Sequence, residues 1–182
     1  INAKSCAGWA KTFMSIVSGG YVGVQLFDGY TPADTQQLVN HSDSVLLYTE
    51  KRLYDNMDIE NMPNLIGVID VKTGDLLAFR NNFDSIYAKR QQMFNEKHPN
   101  GLKQEDVYFE DRDADDVCGI NYTSGSTGSP KGVMLTIRNF SANVYLLPIH
   151  FPFVEDGNYL GVLPFAHIFG LTCDVIEPLC LG

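Results

Sequence analysis

The sequence has few of the features that mark membrane-embedded or nucleic-acid-binding proteins. No apolar run approaches the roughly 18 residues of a spanning helix, and the first residues have no signal-peptide pattern. Thirteen basic residues face 22 acidic ones, and the net charge of -9 gives no basic field for phosphate backbones or anionic lipid. We therefore expect a cytoplasmic protein with no nucleic-acid partner and no transmembrane segment.

Cysteine is also scarce, and its spacing excludes two further classes. The four cysteines contain no CxxC pair, and the four histidines do not lie at metal-ligand spacing from them. The acidic run at 111–116 is typical of solvated surface. We therefore predict reduced, structural cysteines and assign no metal ligand.

What the sequence does contain is an alternation of strand and helix patterns. Helical spacing appears at 9–17, and Thr31, Asp84 and Thr136 are placed to cap helices that reach about residues 41, 96 and 147. Short apolar runs predict strands at 21–26, 44–49, 64–69, 117–123, 132–135 and 159–163. This alternation predicts a layered α/β fold with a mostly parallel sheet flanked by helices.

The most informative segment is a glycine-rich stretch that directly follows a predicted strand. Residues 122–133 read YTSGSTGSPKGV, which combines glycines, hydroxyl side chains and Lys131. Glycines let backbone N–H groups approach a ligand, hydroxyls donate to phosphate oxygens, and a lysine supplies a compact positive charge. The composition indicates a phosphate-binding loop.

Two other interpretations of this stretch fit less well. The Walker pattern requires Gly-Lys followed by Ser or Thr, whereas Lys131 here lies between Pro130 and Gly132. A flexible Gly/Ser linker is disfavoured because a proline, a lysine and an apolar strand bound the segment. We therefore predict a phosphate loop that is not an ordinary P-loop.

The stretch resembles the glycine-rich phosphate loop of the adenylate-forming (AMP-binding) superfamily, which includes acyl-CoA synthetases, luciferases and peptide-synthetase adenylation domains. A second segment, LPFAHIFG at 163–170, resembles the acyl-CoA synthetase region in which a histidine lies near the acyl carboxylate and the nucleotide. The early FMSIVSGGYVGVQL stretch with Thr31-Pro32, and Asp115-Asp116 before the motif strand, are also similar to the family. Within this superfamily, the chain resembles the N-terminal part of a bacterial long-chain fatty acyl-CoA synthetase.

The resemblance implies a function and a set of site residues. It implies an ATP-dependent ligase that activates a fatty acid as acyl-adenylate and transfers it to coenzyme A. Lys131 and His167 would be catalytic, and Phe165 and Phe169 would form a wall of the acyl site. The ATP-binding residues would be Thr123, Ser124, Gly125, Ser126, Thr127, Gly128 and Lys131.

The resemblance also implies that residues 1–182 form a single partial AMP-binding domain, with the phosphate loop at 122–133 and the acyl-site segment at 163–170. Family members carry their adenine-binding and Mg²⁺-binding residues and a catalytic lysine further along the chain. We therefore expect the isolated chain to be inactive, and peripheral membrane contact is possible in the parent protein. Two alternatives stay open, an amino-acid adenylation domain and a non-catalytic nucleotide-binding module.

Overall fold

The structure, a computed structural model, describes residues 1–123, 130–150 and 159–181. Within these ranges the strands pair in two groups of three, and each group combines a parallel pair with an antiparallel pair. The strands are β1 (Gly23–Gln25), β2 (Leu46–Thr49), β3 (Gly67–Asp70), β4 (Leu76–Phe79), β5 (Val117–Thr123) and β6 (Lys131–Thr136). The first group has the order β1-β5-β6 and the second has the order β2-β3-β4.

Asn2 joins the two groups into one arrangement. It makes parallel bridges to Leu26, which follows β1, and to Thr49, the last residue of β2. Its backbone N–H donates to the Tyr48 carbonyl at 2.9 Å. The order is therefore β4-β3-β2-Asn2-β1-β5-β6, with parallel neighbours throughout the centre and antiparallel strands at both ends. The prediction of an α/β fold with a mostly parallel sheet is confirmed.

Helices surround this sheet, and two of their predicted caps are confirmed. The Thr31 hydroxyl accepts from the Asp34 N–H at 3.1 Å, and the Thr136 hydroxyl accepts from the Asn139 N–H at 3.2 Å. The described helices are α1 (Ala7–Ser18), α2 (Pro32–His41), α3 (Lys51–Tyr54), α4 (Phe83–Lys97), α5 (Ile137–His150), α6 (Ile168–Leu171) and α7 (Glu177–Leu181). A π-helical turn, Thr172–Ile176, connects the last two.

Apolar side chains cover both faces of the sheet. Because successive residues of a strand point to opposite faces, Gly119 of β5 faces Phe140 of α5, whereas Ile120 and Tyr122 join the cluster around α2 and β2. The cluster on the Phe140 side also contains Trp9 of α1. With both faces covered, the strand ends are the places where a ligand can reach the sheet.

Two local predictions are wrong. Residues 159–163 form no strand; instead the Leu163 N–H and the Tyr159 hydroxyl donate to the Asp174 carboxylate at 2.8 and 3.1 Å. Asp84 does not cap α4, because the helix already begins at Phe83 and Asp84 lies in its first turn. Both errors concern local boundaries and leave the sheet order unchanged.

The structure also bears on the cysteines and on membrane-spanning helices. All four cysteines carry free thiols. Among the helices of the described ranges, none combines the length and the apolar character that a membrane span requires.

Candidate functional site

The predicted phosphate loop connects two antiparallel strands. β5 ends at Thr123 and β6 begins at Lys131, and these two residues face each other across the ladder. The predicted binding residues Ser124, Gly125, Ser126, Thr127 and Gly128 lie outside the described residues. Of the predicted set, Thr123 and Lys131 are therefore the two whose places the structure gives, one at each end of the connection.

Lys131 carries a charge that the rest of the described chain does not neutralise. Its side chain is exposed, and no carboxylate within the described ranges lies at ion-pair distance from its ammonium group. Arg138 of the next helix differs, because its guanidinium contacts both carboxylate oxygens of Asp115 at 2.6 and 3.0 Å. As far as the described ranges go, the Lys131 ammonium is thus available to an external anion.

The second predicted site residue, His167, lies at the same edge of the sheet. Because β1 and β5 are parallel, their carboxyl ends meet at one edge, where β5 leads into the predicted loop and β1 leads towards Phe27. The rings of His167 and Phe27 lie with their centroids 6.5 Å apart. Lys131, paired with Thr123 at the end of β5, belongs to this edge as well. Ligands of α/β proteins bind outside the carboxyl ends of parallel strands, so the location suits a binding site.

The contacts of His167 favour one tautomer of its neutral imidazole. His167 is the N-cap of α6, and its Nδ1 accepts a hydrogen bond from the Phe169 N–H at 3.1 Å. A ring nitrogen that accepts a hydrogen bond carries no proton, so the neutral ring carries its proton on Nε2. Since the side chain is exposed, the Nε2–H group is a donor that a ligand can reach.

The turn that carries His167 is tightly packed. The His167 N–H donates to the Pro164 carbonyl at 2.9 Å, and a Cβ added at Gly170 would lie 2.3 Å from the same oxygen. Glycine is therefore required at this position for the close approach of two backbone segments. At the start of the turn, the Ser5 hydroxyl accepts from the Phe165 N–H at 2.9 Å.

The two phenylalanines predicted to form an acyl-site wall have different surroundings. Phe165 is half-buried and meets Trp9 edge-on, with ring centroids 5.7 Å apart. Phe169 is 52% exposed. Phe165 therefore contributes to the core below the turn, while Phe169 offers an accessible apolar ring beside His167.

Sequence reasoning missed the residue that ties this turn to the sheet. Asn121 of β5 is buried, and its side-chain amide donates to the Ala166 carbonyl at 2.6 Å. It also missed that His41 Nδ1 lies 2.7 Å from the hydroxyl of Tyr122. A signal was present for the first contact, because an amide inside an otherwise apolar strand needs a buried partner.

Two other features do not belong to this edge. An apolar pocket of about 380 Å³ lies between α1 and α5, lined by Phe13, Met14, Phe140 and Val144 among others. It also contacts Cys118, near the amino end of β5, whereas the predicted loop follows the carboxyl end of that strand. In the described ranges, no three His, Cys, Asp or Glu side chains are grouped so that they could hold a metal ion.

Known proteins are similar in sequence to this chain. It is 30% identical to the peroxisomal long chain acyl-CoA synthetase 6 of Arabidopsis thaliana over 163 residues, which is 88% of this chain and 23% of that protein. It is 41% identical over 69 residues to a long-chain-fatty-acid–CoA ligase of Bacillus subtilis, covering 37% of this chain and 12% of the ligase. The chain thus spans less than a quarter of the length of either relative.

A solved structure shares the fold. The crystal structure of apo MatB from Rhodopseudomonas palustris superposes with a TM-score of 0.72 over 98% of this chain and 32% of MatB, at 20% identity. The sequence model of AMP-binding enzymes matches residues 1–182, which is the whole of the sequence. The chain belongs to the AMP-binding enzymes, the adenylate-forming superfamily that includes long-chain acyl-CoA ligases.

Proposed function

We propose that this chain is the phosphate-binding part of a fatty acyl-CoA synthetase. The enzyme would join a fatty acid to the α-phosphate of ATP, release pyrophosphate, and pass the acyl group to the thiol of coenzyme A with release of AMP. The observation that carries the proposal is the shared location of two groups. The Lys131 ammonium, which has no carboxylate partner in the described ranges, and the exposed His167 lie at one carboxyl edge of the sheet.

Charge is the main obstacle in the first step. A carboxylate must approach a triphosphate, so both anions need positive charge or hydrogen-bond donors to offset their repulsion. Lys131 would contact the β and γ phosphates and stabilise the pyrophosphate as it leaves. The residues at 124–128 would add backbone and hydroxyl donors, which are the groups that their composition offers.

His167 would act on the other reactant. A neutral imidazole with its proton on Nε2 can donate to one carboxylate oxygen and so orient the other oxygen towards the α-phosphorus. It does not need to give up its proton for this role. The exposed ring of Phe169 would contact the first carbons of the acyl chain beside it.

Mg²⁺ is the usual companion of ATP in such reactions, where it neutralises phosphate charge. The described residues do not fit a protein cage for it, because they supply no cluster of candidate ligands. We therefore assign no residue of this chain to the ion and derive no step through it.

The proposal is tested by acid-dependent exchange of pyrophosphate into ATP. The full-length protein would be assayed with acetate, octanoate, palmitate and a mixture of amino acids, followed by coenzyme A as acceptor. We expect exchange with the longer fatty acids and thioester formation with coenzyme A. Exchange that depends on amino acids would favour the adenylation-domain alternative, and ATP binding without any exchange would favour a non-catalytic module.

Lys131 gives the matched residue-level test. Lys131→Ala should slow exchange by about 10- to 150-fold, which corresponds to about 1.5–3 kcal/mol for a charge-assisted contact. Lys131→Arg should recover only part of the rate, because a planar fork does not replace a point charge. Lys89→Ala, which removes an exposed lysine from α4, is the control. An unchanged rate in Lys131→Ala would remove this residue from the mechanism.

A further inference from the structure

Two buried side-chain amides connect β5, which precedes the predicted phosphate loop, to the turn at 163–170 that carries His167. Asn121 lies on β5, two residues before Thr123, and Gln25 is its register partner on the parallel strand β1. Asn121 Nδ2 donates to Gln25 Oε1 at 3.2 Å and to the Ala166 carbonyl at 2.6 Å. Both N–H groups of this amide are therefore used, and one of them leaves the sheet for the turn at 163–170.

Burying these two amides costs free energy unless their polar atoms are hydrogen-bonded. Asn121 is 7% exposed and Gln25 is 1% exposed, so neither amide can turn to solvent for a partner. Gln25 satisfies its own Nε2 on the Gly23 carbonyl at 3.3 Å. Buried polar groups that lack partners destabilise a fold, whereas a fully bonded network favours one geometry. An apolar side chain at position 121 would suit a strand between two packed faces, so packing alone does not account for the amide.

The amide bond to Ala166 fixes the peptide that leads into His167. The carbonyl of this peptide unit accepts from Asn121, and its N–H, which belongs to His167, donates to the Pro164 carbonyl at 2.9 Å. The plane of the peptide is therefore held at both of its polar atoms. The imidazole is fixed in turn, because Nδ1 accepts from the Phe169 N–H.

We propose that Asn121 is a positioning residue that sets the place of His167 relative to the phosphate loop. Thr123 is two residues further along the same strand, roughly 7 Å at the usual strand rise. Thr123, after which the predicted loop begins, and Asn121, which holds the turn of His167, thus belong to one strand. A displacement of about 1 Å between two reactants can cost about 100-fold in rate, so such a shared reference matters for chemistry. This inference deepens the proposed function and rests on it.

The experiment is a double-mutant cycle in the full-length protein. Asn121→Leu, a variant of similar volume without hydrogen-bonding atoms, should lower kcat for acid-dependent exchange by about 10- to 100-fold, while KM for ATP changes less than about threefold. In a His167→Ala background the same substitution should cost less than about threefold, because the group that it positions is gone. Asn121→Gln, which keeps the amide donor, should recover part of the loss.

The outcomes separate this inference from the proposed function. Equal losses from Asn121→Leu in both backgrounds, or no loss in either, would overturn the positioning role while leaving the ligase proposal intact. If none of the acids supports pyrophosphate exchange by the wild-type protein, the proposed function fails. The inference is then decided by ¹⁵N NMR of the His167 ring. The Nε2–H form should dominate in the wild type and lose its preference in Asn121→Leu; the same spectrum in both would overturn the inference. If Asn121→Leu does not fold, Asn121→Thr takes its place in both measurements.

Discussion

The β3–β4 and β5–β6 hairpins have the same topology, but their connections differ in charged residues. In each, a strand of a parallel pair turns back into an antiparallel neighbour at the end of the described sheet. The first turn lies between Asp70 and Leu76 and contains Asp75 as well. The second, at 124–130, contains no charged residue and leads into Lys131.

At the β3–β4 hairpin, a carboxylate of the protein itself accepts hydrogen bonds from backbone N–H groups. The Asp70 carboxylate accepts from the N–H groups of Lys51, Lys72 and Thr73 at 2.9, 2.8 and 3.0 Å. Burial alone would raise the pKa of Asp70, but the backbone donors outweigh burial and lower it. The second connection contains no carboxylate of its own, and no carboxylate of the described ranges lies at ion-pair distance from Lys131. The comparison supports our proposal that the β5–β6 hairpin serves a ligand, whereas the Asp70 contacts of the β3–β4 hairpin stabilise the fold.

Low pH is expected to give the largest effect, a loss of unfolding free energy, because the contacts around β2 and β3 depend on ionised carboxylates. Glu50, which follows β2, is bonded to Arg52, to Lys72 and to the Lys4 N–H. Burial acts to raise its pKa, but these bonds outweigh burial and lower the pKa from 4.5 to about 2. A lowered pKa stabilises the fold above pH 4.5, and this contribution, on the order of 3 kcal/mol, is lost as pH falls from 4.5 towards 2.

The measurement is urea unfolding of wild type and Glu50→Gln at several pH values between 2 and 7. Other carboxylates titrate in the same window, so the quantity to follow is the difference in unfolding free energy between the two proteins. It should be largest above pH 4.5 and shrink steadily below it. A difference that stays constant with pH would show that the ionised Glu50 contributes nothing.

A carboxylate added to the second hairpin should give an effect of about 2 kcal/mol. Thr123→Asp places an anion opposite Lys131 in the antiparallel ladder, where paired side chains lie about 5 Å apart. The new anion would pair with the lysine and repel a triphosphate, so this hairpin would come to resemble the one around Asp70. We expect the apparent affinity for ATP to fall about 30-fold in the exchange assay.

Thr123→Asn is the matched control, since it has the same shape without the charge, and it should change the affinity by less than about threefold. High salt should reduce the difference between the two variants, because Thr123 and Lys131 are exposed. Equal affinities of Thr123→Asp and wild type would mean that ATP does not bind at this edge.

The sequence predicted the sheet better than it predicted the site. Repeated apolar runs specify buried strands, and the hydroxyl caps of Thr31 and Thr136 are local features that a sequence displays directly. The prediction of a strand at 159–163 was wrong because a short apolar run does not show whether a partner strand is present. In the structure that stretch is bonded to Asp174, a residue more than ten positions away.

The candidate site was predictable only as a list of residues. Glycines, hydroxyls and Lys131 indicate phosphate binding by composition, and His167 needed a family resemblance to stand out. The contact of Asn121 with Ala166 joins residues 45 positions apart, and no periodicity encodes such a pairing. The sequence therefore gives the chemical groups of a site, whereas the hydrogen-bond partner of each group depends on the fold.

The smallest effect is expected from neutralising the internal anion of the first hairpin. Asp70→Asn keeps the shape of the side chain and leaves one oxygen for three backbone donors, so the charge-assisted bonds weaken and one donor loses its partner. We expect a loss of about 1–2 kcal/mol in the free energy of unfolding, measured by urea titration at pH 7.

The same variant should leave kcat and KM for exchange unchanged per folded molecule, because the β3–β4 turn does not take part in the site. Lys131→Ala should do the reverse, lowering the exchange rate while leaving the unfolding free energy within about 0.5 kcal/mol, as expected for an exposed side chain without an ion-pair partner in the described chain. If Asp70→Asn instead weakened ATP binding, or Lys131→Ala destabilised the fold, the assignment of stability to one hairpin and ligand binding to the other would be wrong. The two variants thus test the comparison from both sides with the same pair of measurements.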